Sequence, residues 1–370
     1  MKILHVCNHF HPCIGGIEKY VYDLCKNLQK LGHQSDVCCL DRCAYGKEKS
    51  PAYENYDGIS IFRLPFLDLK WYNVAPGVVS LVKDYDVIHI HSIGFFSDFL
   101  ILTKPLHGKP IILNTHGGIF HTRYLQLLKD VYFNFCCRAL FKSVYKILAD
   151  GESDKRRFDE ISHNVDIVPI TVDTKKYMGL KRAPRRGRLL YVGRLSKNKR
   201  IDNLIKTFAF VKKAVPHAEL YIVGPAWDDL DVEMKALAES LGIEKSVVFT
   251  GEVSDRELMN QIKLARVFLF ASEYEGRPVT LMEMLAAGIP MVVNDIPIFR
   301  DFITDGRNGF VADYTNHKAA ADKIVHVMDG NLSKISKSAR QSSKKYDWGV
   351  AIKKIENIYK AALTGRLQSG

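Results

Sequence analysis

The stretch ILHVCNHFHPCIGGIEKYVYDLCKNLQKLGHQSDVCCL, residues 3–40, decides the fold. It opens with a short apolar run, Ile3 to Cys7, of the kind a buried strand shows. A turn containing Pro12, Gly15 and Gly16 follows. From Ile17 to Leu31 the apolar residues Ile17, Val21, Leu24, Leu28 and Leu31 fall at helical spacing. Gly32 stands where a helix commonly ends. Gln34 to Leu40 resumes as a strand. Strand, Gly-rich turn, helix, strand is the unit of an open parallel sheet.

The alternation continues outward. Ile59–Leu64, Val87–His91, Pro110–His116, Lys146–Ala149 and Asp166–Pro169 read as further strands. After a basic connector near residues 171–188 the pattern restarts. Leu189–Gly193, Glu219–Gly224, Val247–Thr250, Val267–Phe270 and Ile289–Val293 are expected strands. Ile201–Val215, Asp229–Leu241 and Pro278–Ala287 are expected helices, stopped by Pro216, Gly242 and Gly288. A chain of 370 residues exceeds one ordinary core. Two doubly wound α/β domains follow, residues 1–173 and 174–345, expected to face each other across a cleft. Residues 346–370, apolar-periodic from Trp348 to Leu363, are expected to return as a helix onto the first domain.

Composition narrows the function. The hydrophobic share of 47% and charged share of 25% belong to a soluble globular protein, not a disordered one. A formal charge of +12 admits nucleic acid, a membrane surface or an anionic small substrate as partner. Much of the excess lies between Lys175 and Arg200, which holds eleven basic residues and no acid. Such a run is ordinarily a solvated or linker-like face. It lacks interleaved aromatics and no reader motif accompanies it, so no nucleic-acid partner is expected. The eight cysteines have no repeated CxxC spacing, which argues against zinc. Met1-Lys2 runs straight into a strand pattern without a signal peptide. Free, mostly buried thiols in a reducing cytoplasm are expected. No apolar stretch reaches bilayer-spanning length.

Ligands of open α/β sheets bind at the carboxyl ends of the strands. Four features fall there. Gly15-Gly16 follows the first strand and opens a helix, where backbone amides suit a phosphate; a tight turn needing positive φ is the plainer reading. His116 with Gly117-Gly118 follows a strand of the first domain. Gly193, Arg194 and Lys199 follow the first strand of the second, and the two cations suit a diphosphate. The fourth is Glu275-Gly276-Arg277-Pro278 through Glu283, with seven residues between the carboxylates. Glu275 lies in the loop and Glu283 about one and a half turns into the helix. The first helical amides, those of Val279, Thr280 and Leu281, lack internal partners, and Pro278 suits a helix start. A phosphate over these amides, with a carboxylate on either side to accept from sugar and ribose hydroxyls, fits a nucleotide-sugar.

Glu275 and Glu283, followed by Met284-Leu285-Ala286-Ala287-Gly288-Ile289-Pro290, resemble the signature of the retaining glycosyltransferases of family 4, which have the GT-B fold. Val192-Gly193-Arg194-Leu195 with Lys199 and Asp202-Asn203-Leu204-Ile205, Gly15-Gly16-Ile17-Glu18 and Asn114-Thr115-His116-Gly117 are similar to other parts of that pattern. The resemblance covers nearly the whole chain. It implies that Arg194 and Lys199 hold the donor diphosphate and stabilise the leaving group. It implies that Glu275 orients the transferred sugar, Glu283 binds the ribose, Gly16 gives its amide to phosphate and His116 sits by the sugar near the acceptor. Arg277 and Pro278 depart from the aromatic and glycine common after the first Glu, and Arg200 stands where many members carry glycine. The implied reaction is retaining transfer of a hexose from a UDP- or GDP-sugar to a glycan or lipid-linked sugar acceptor.

No metal or other cofactor is expected. Asp229-Leu230-Asp231 reads as a helix start, and fixed cations and helix amides can carry the departing charge. Tyr124 to Leu148, rich in aromatics and leucine with Lys129, Arg138, Lys142 and Lys146, reads either as a core-packed helix or as a face for an anionic membrane at the inner surface. His89, His91, His107, His116 and His121 lack metal spacing and read as satisfied or acceptor-site residues. A sugar-nucleotide epimerase or hydrolase of the same shape and, more remotely, a basic nucleic-acid binder are the alternatives.

Overall fold

The chain divides into two units, Met1–Ile170 with Trp348–Gly370, and Thr171–Asp347. The computed structural model describes all residues except 14, 44–47, 70–71, 119–125, 169–170, 227–228, 276–277 and 368–370. The expectations resting on Gly276, Arg277, His121, Tyr124 and Pro169 lie outside the described residues.

The first unit holds strands β1 (Lys2–Val6), β2 (Gln34–Leu40), β3 (Tyr53–Tyr56), β4 (Ile59–Leu64), β5 (Leu67–Asp68), β6 (Asn73–Val74), β7 (Val87–His91), β8 (Ile111–Asn114), β9 (Lys146–Ala149) and β10 (Val165–Ile167). Eight of them form one sheet in the order β10-β9-β8-β7-β1-β2-β4-β3. All neighbours run parallel except β3 and β4. That hairpin turns at Asp57-Gly58, both at positive φ, the Asp-Gly turn signal that the sequence carried and the strand reading passed over. Leu4, Val6, Ile88, Ile90 and Leu113 pack into one face cluster. Ile3, Val37, Val87 and Ile112 pack on the other with Val21 and Leu24 of the Gly16–Lys30 helix and Ile352, Ile355 and Tyr359 of the Trp348–Leu367 helix. Burial on both faces explains why the central strands read as continuous apolar runs. The C-terminal helix is anchored by Trp348, which stacks on Tyr20 at 5.2 Å.

Two expectations for this unit are corrected. Cys13 and Cys43 form a disulfide with Cα atoms 5.6 Å apart, so the eight cysteines are not all free thiols. Because β1 and β2 are parallel neighbours, the loops leaving their carboxyl ends start side by side. Residues 126–148 are not one helix. Helix Gln126–Val131 passes into a π-helical turn, Tyr132–Cys137, then Arg138–Leu140, a 3-10 turn and β9. Phe133, Cys137 and Phe141, spaced four apart, lie on its buried side.

The second unit is a six-stranded, all-parallel sheet of β11 (Arg188–Val192), β12 (Glu219–Val223), β13 (Val247–Gly251), β14 (Val267–Phe270), β15 (Met291–Asn294) and β16 (Phe310–Ala312). Its order is β13-β12-β11-β14-β15-β16. The first strand, β11, lies between β12 and β14, so the topology reverses there and the loops after β11 and β14 leave from the switch point.

The basic run is not simply a solvated connector. Thr174–Met178 is a short helix whose N-cap, Asp173, accepts from the Lys176 amide. Arg188 is buried in β11, stacked 3.6 Å from the Tyr221 ring centroid and bonded to Gln261. Arg182 donates to the carbonyls of Gly288 and Ala265, and Arg340 to that of Ala287. Two guanidiniums therefore close the C-terminus of Val279–Ala287, where orphan carbonyls and the helix dipole favour cations. Burial, then repulsion from Arg340 and Arg266, pushes Arg182 down to about 10.

Candidate functional site

Two strand-end constellations stand out, one in each unit. In the second unit the segments after β11 and β14 are tied together. The Glu273 amide donates to the Asn198 carbonyl at 2.8 Å, and the Asn198 side chain to the Tyr274 carbonyl at 3.3 Å. This brings Lys199 onto Glu275: Nζ donates to both carboxylate oxygens, at 2.6 and 2.8 Å. The side chains are 19% and 6% exposed. Lys199 Nζ also lies 5.5 Å from the Phe270 ring centroid. Two residues assigned from sequence to different ends of a donor are thus one ion pair here. Glu275 and Arg194 both act on the neighbouring Tyr191. The phenol of Tyr191 is raised above its ordinary range by burial first and by Glu275 next, with Arg194 opposing. The Tyr191 hydroxyl donates to the Arg194 carbonyl at 3.1 Å.

Backbone shape matters equally. Gly193 has φ 154 and Gly224 has φ 137. A Cβ on Gly224 would lie 2.7 Å from the carbonyl carbon of Gly193, so the β11 and β12 turns touch backbone to backbone. Arg200, in place of the glycine common in the resembled pattern, is left-handed at φ 50. Its guanidinium compensates by gripping Asp202 through two 3.0 Å bonds and reaching Glu273 at 3.3 Å.

The entry to Val279–Ala287 differs in one respect from expectation. The Leu281 amide bonds the Pro278 carbonyl at 3.0 Å, because the first turn tightens to i→i−3. Among the described residues, the amides of Val279 and Thr280 precede the first backbone bond of this helix. Glu283 is half-buried and accepts from Tyr177 of the Thr174–Met178 helix, whose phenol is raised by burial and then by this carboxylate. Tyr177 was missed because it lies in the basic connector with no motif around it. Tyr177→Phe is expected to raise the donor KM about three- to tenfold with a smaller change in kcat, the loss of one hydrogen bond to a charged group; steady-state kinetics check it.

In the first unit Gly15 is extended (φ −169) and Gly16 begins the helix, so neither glycine supplies the positive φ of a tight turn. Nothing lies within 4 Å of where a Gly16 Cβ would sit, whereas Glu18 folds back over Gly15. His116, Gly117 and Gly118 form a left-handed turn at φ 48, 78 and 67 after β8. The His116 side chain is 1% exposed. Its Nε2 meets His91 Nδ1 at 3.1 Å, and its Nδ1 faces Asn114 and Asp150. His5, His89 and His91 bring nitrogens within 4.8 Å of one another. His91 spends both its nitrogens on His5 and His116, which makes this a hydrogen-bonded row rather than three lone pairs converging on an ion. His107 is apart from it, bonded to the Leu100 carbonyl.

Comparison with known proteins bears on the whole chain. Residues 14–176 match the family described as Glycosyltransferase Family 4, and residues 179–346 match Glycosyl transferases group 1. The chain is 30% identical to the GDP-mannose:cellobiosyl-diphosphopolyprenol alpha-mannosyltransferase of Xanthomonas campestris, over 98% of this chain and 97% of the relative. Among solved structures it is similar to sucrose-phosphate synthase from Thermosynechococcus elongatus, with a TM-score of 0.80 at 16% identity over 98% of this chain and 99% of the other. It is also similar to Anabaena HepE in complex with UDP and glucose, at a TM-score of 0.76 and 18% identity over 98% and 100%. The shared architecture is the GT-B fold.

Proposed function

Since the chain belongs to glycosyltransferase family 4, we propose that it transfers an α-mannosyl residue, with retention, from GDP-mannose to a glycan carried on a polyprenyl diphosphate. The Xanthomonas relative, similar end to end, supports this donor and acceptor class. The observation that carries the transfer chemistry is the Lys199–Glu275 pair at the strand ends of the switch point.

The acceptor hydroxyl attacks the anomeric carbon as the bond to the diphosphate oxygen breaks. The sugar gains positive character, the leaving GDP gains negative charge, and the hydroxyl proton departs with it. Lys199 and Arg194 stabilise the leaving diphosphate, with the Val279 and Thr280 amides as further donors. Glu275, held rigidly by Lys199, accepts from a hydroxyl of the transferred sugar. Glu283, held by Tyr177, accepts from the ribose. The family resemblance further implies a phosphate role for the Gly16 amide and a sugar role for His116. This reading requires no metal; it is consistent with Asp231 being paired with Lys235 at 2.8 Å and with Asp229 standing at the N-cap position of the Leu230–Ser240 helix. Among the described residues no helix is long and apolar enough to cross a membrane. Leu127, Leu128, Val131 and Phe135 are nevertheless all exposed, next to Lys129 and Arg138. A basic, apolar surface of this kind suits the anionic bilayer in which such an acceptor resides.

The test is radiolabelled GDP-mannose given to purified protein with a polyprenyl-diphosphate disaccharide in anionic vesicles. Label is expected in the lipid fraction only when acceptor is present, at a rate that EDTA changes less than about twofold. Faster transfer from a UDP-sugar would overturn the donor assignment. Release of GDP without acceptor would point to a hydrolase instead.

A further inference from the structure

Four imidazoles cluster in the interior of the first unit, three of them in one hydrogen-bonded row while His89 bonds the Tyr359 hydroxyl, and the reaction above uses only His116. His5 on β1, His89 and His91 on β7 and His116 after β8 are 0%, 0%, 2% and 4% exposed. His5 Nδ1 lies 3.1 Å from His91 Nε2, and His91 Nδ1 lies 3.1 Å from His116 Nε2. His116 Nδ1 lies 3.8 Å from Asp150 Oδ2. The sheet order makes this row: β1, β7, β8 and β9 are consecutive neighbours, and the residues sit at or near their carboxyl ends.

A neutral imidazole has one N–H and one lone pair. Two successive N···N bonds therefore work only head to tail. Either every Nδ1 carries the proton and the row points at Asp150, or every Nε2 carries it and the row points at His5. Burial keeps His5 neutral, with its pKa lowered to about 3, and holds His89 well below its ordinary value. Two observations choose the direction. A carboxylate can only accept, and Asp154 beside Asp150 is pushed toward holding a proton. It is raised to about 6, by burial first and by the charge of Asp150 second. At the far end, His5 Nε2 is buried without a hydrogen-bond partner. The direction toward Asp150 leaves it a bare lone pair; the reverse would bury an N–H with no acceptor, the rarer and costlier state. Against these stands the Asn114 side chain, whose Nδ2 is 3.3 Å from His116 Nδ1 and so closer than Asp150; the preferred direction requires that amide to turn its oxygen to the ring.

We propose that Asp150 polarises this row, holding His91 and His116 as Nδ1–H tautomers, and that Asp150 and His91 are thereby positioning residues for the turn His116–Gly118 that meets the sugar. The functional half rests on the transferase reading; the tautomeric half does not. The turn holds a non-glycine residue at φ 48, which needs external support. The ring of His116, anchored on both sides, supplies that support.

The direct measurement is long-range 1H–15N correlation of histidine-labelled, full-length protein without substrate. Protons on Nδ1 of His5, His91 and His116 are expected, assigned by loss of each signal in single His→Asn variants. A proton on Nε2 of His116 overturns the proposal whatever the enzyme does. In Asp150→Asn the row is expected to reverse or to mix. With whichever donor supports turnover, kcat should fall about ten- to hundredfold while the donor KM stays within about threefold, as for other groups that orient a functional side chain. His91→Asn should show the same split. Should Asp150→Asn prove unstable, Asp150→Glu, which keeps the carboxylate, should retain the Nδ1–H tautomers and recover most of kcat. An unchanged kcat in a folded Asp150→Asn overturns the positioning role; an unchanged kcat in His116→Ala overturns the assignment of the turn itself.

Discussion

Lys199→Ala is expected to lower kcat by about a hundred- to a thousandfold, the loss seen when one preorganised donor to a developing anion is removed. The structure adds a complication that the sequence did not suggest. Lys199 also neutralises Glu275, whose side chain is only 6% exposed. Its removal leaves a nearly buried carboxylate without its cation, and stability falls along with activity. The two effects separate in the double variant Lys199→Ala/Glu275→Gln. There the uncompensated charge is gone, so the melting temperature should recover toward that of the parent, while turnover stays low. Kinetics and thermal unfolding of the single and double variants form a cycle that reads the coupling directly. A kcat within tenfold of the parent in Lys199→Ala would remove the residue from the transfer machinery.

Gly224→Ala should strongly destabilise the fold of the second unit. The residue sits at φ 137, where side chains are strained, and the added methyl would collide with the carbonyl of Gly193. Neither partner is a flexible side chain, so relief requires the β11 and β12 turns to part. Strain of this kind and overpacking each cost about 1–3 kcal/mol. Together they predict a fall of roughly 5–15 °C in the melting temperature of a unit this size. Gly16→Ala makes the opposite case. Its backbone is already helical and its Cβ would meet nothing within 4 Å. Alanine there should leave the melting temperature unchanged or slightly higher, since glycine is the poorer helix former. If the open space over Gly16 admits a phosphate, activity should fall in this variant without any loss of stability. A Gly224→Ala protein that melts with the parent would show that the two turns do not depend on their close approach.

These cases show how far the linear chain could be read. The alternation of strands and helices was legible from residues 3–40 onward because each strand buried on both faces is a short apolar run and each helix carries a stripe. Those are local signals, set by the periods of the backbone. So were Gly193, Arg194, Lys199, Glu275 and Glu283, since strand ends and helix starts can be located by eye and polar residues clustered there stand out. The hairpin at Asp57-Gly58 carried its turn signal too, but β3 has little apolar pattern because it is an edge.

What needed the packed sheets were the pairings. Nothing in the chain says that β11 lies against β14, and that adjacency alone puts Lys199 on Glu275 across 76 residues. Nothing says that Cys13 meets Cys43, that Tyr177 holds Glu283, or that Arg182 and Arg340 close the helix that carries Glu283. The histidines of β1, β7 and the β8 turn are unremarkable singly and spaced like no metal motif. They become a row only because three neighbouring parallel strands bring their carboxyl ends together. Period and turn chemistry are properties of neighbours along the chain; hydrogen bonds, ion pairs and steric limits between strand ends are properties of neighbours in space, and these assign the residues their partners.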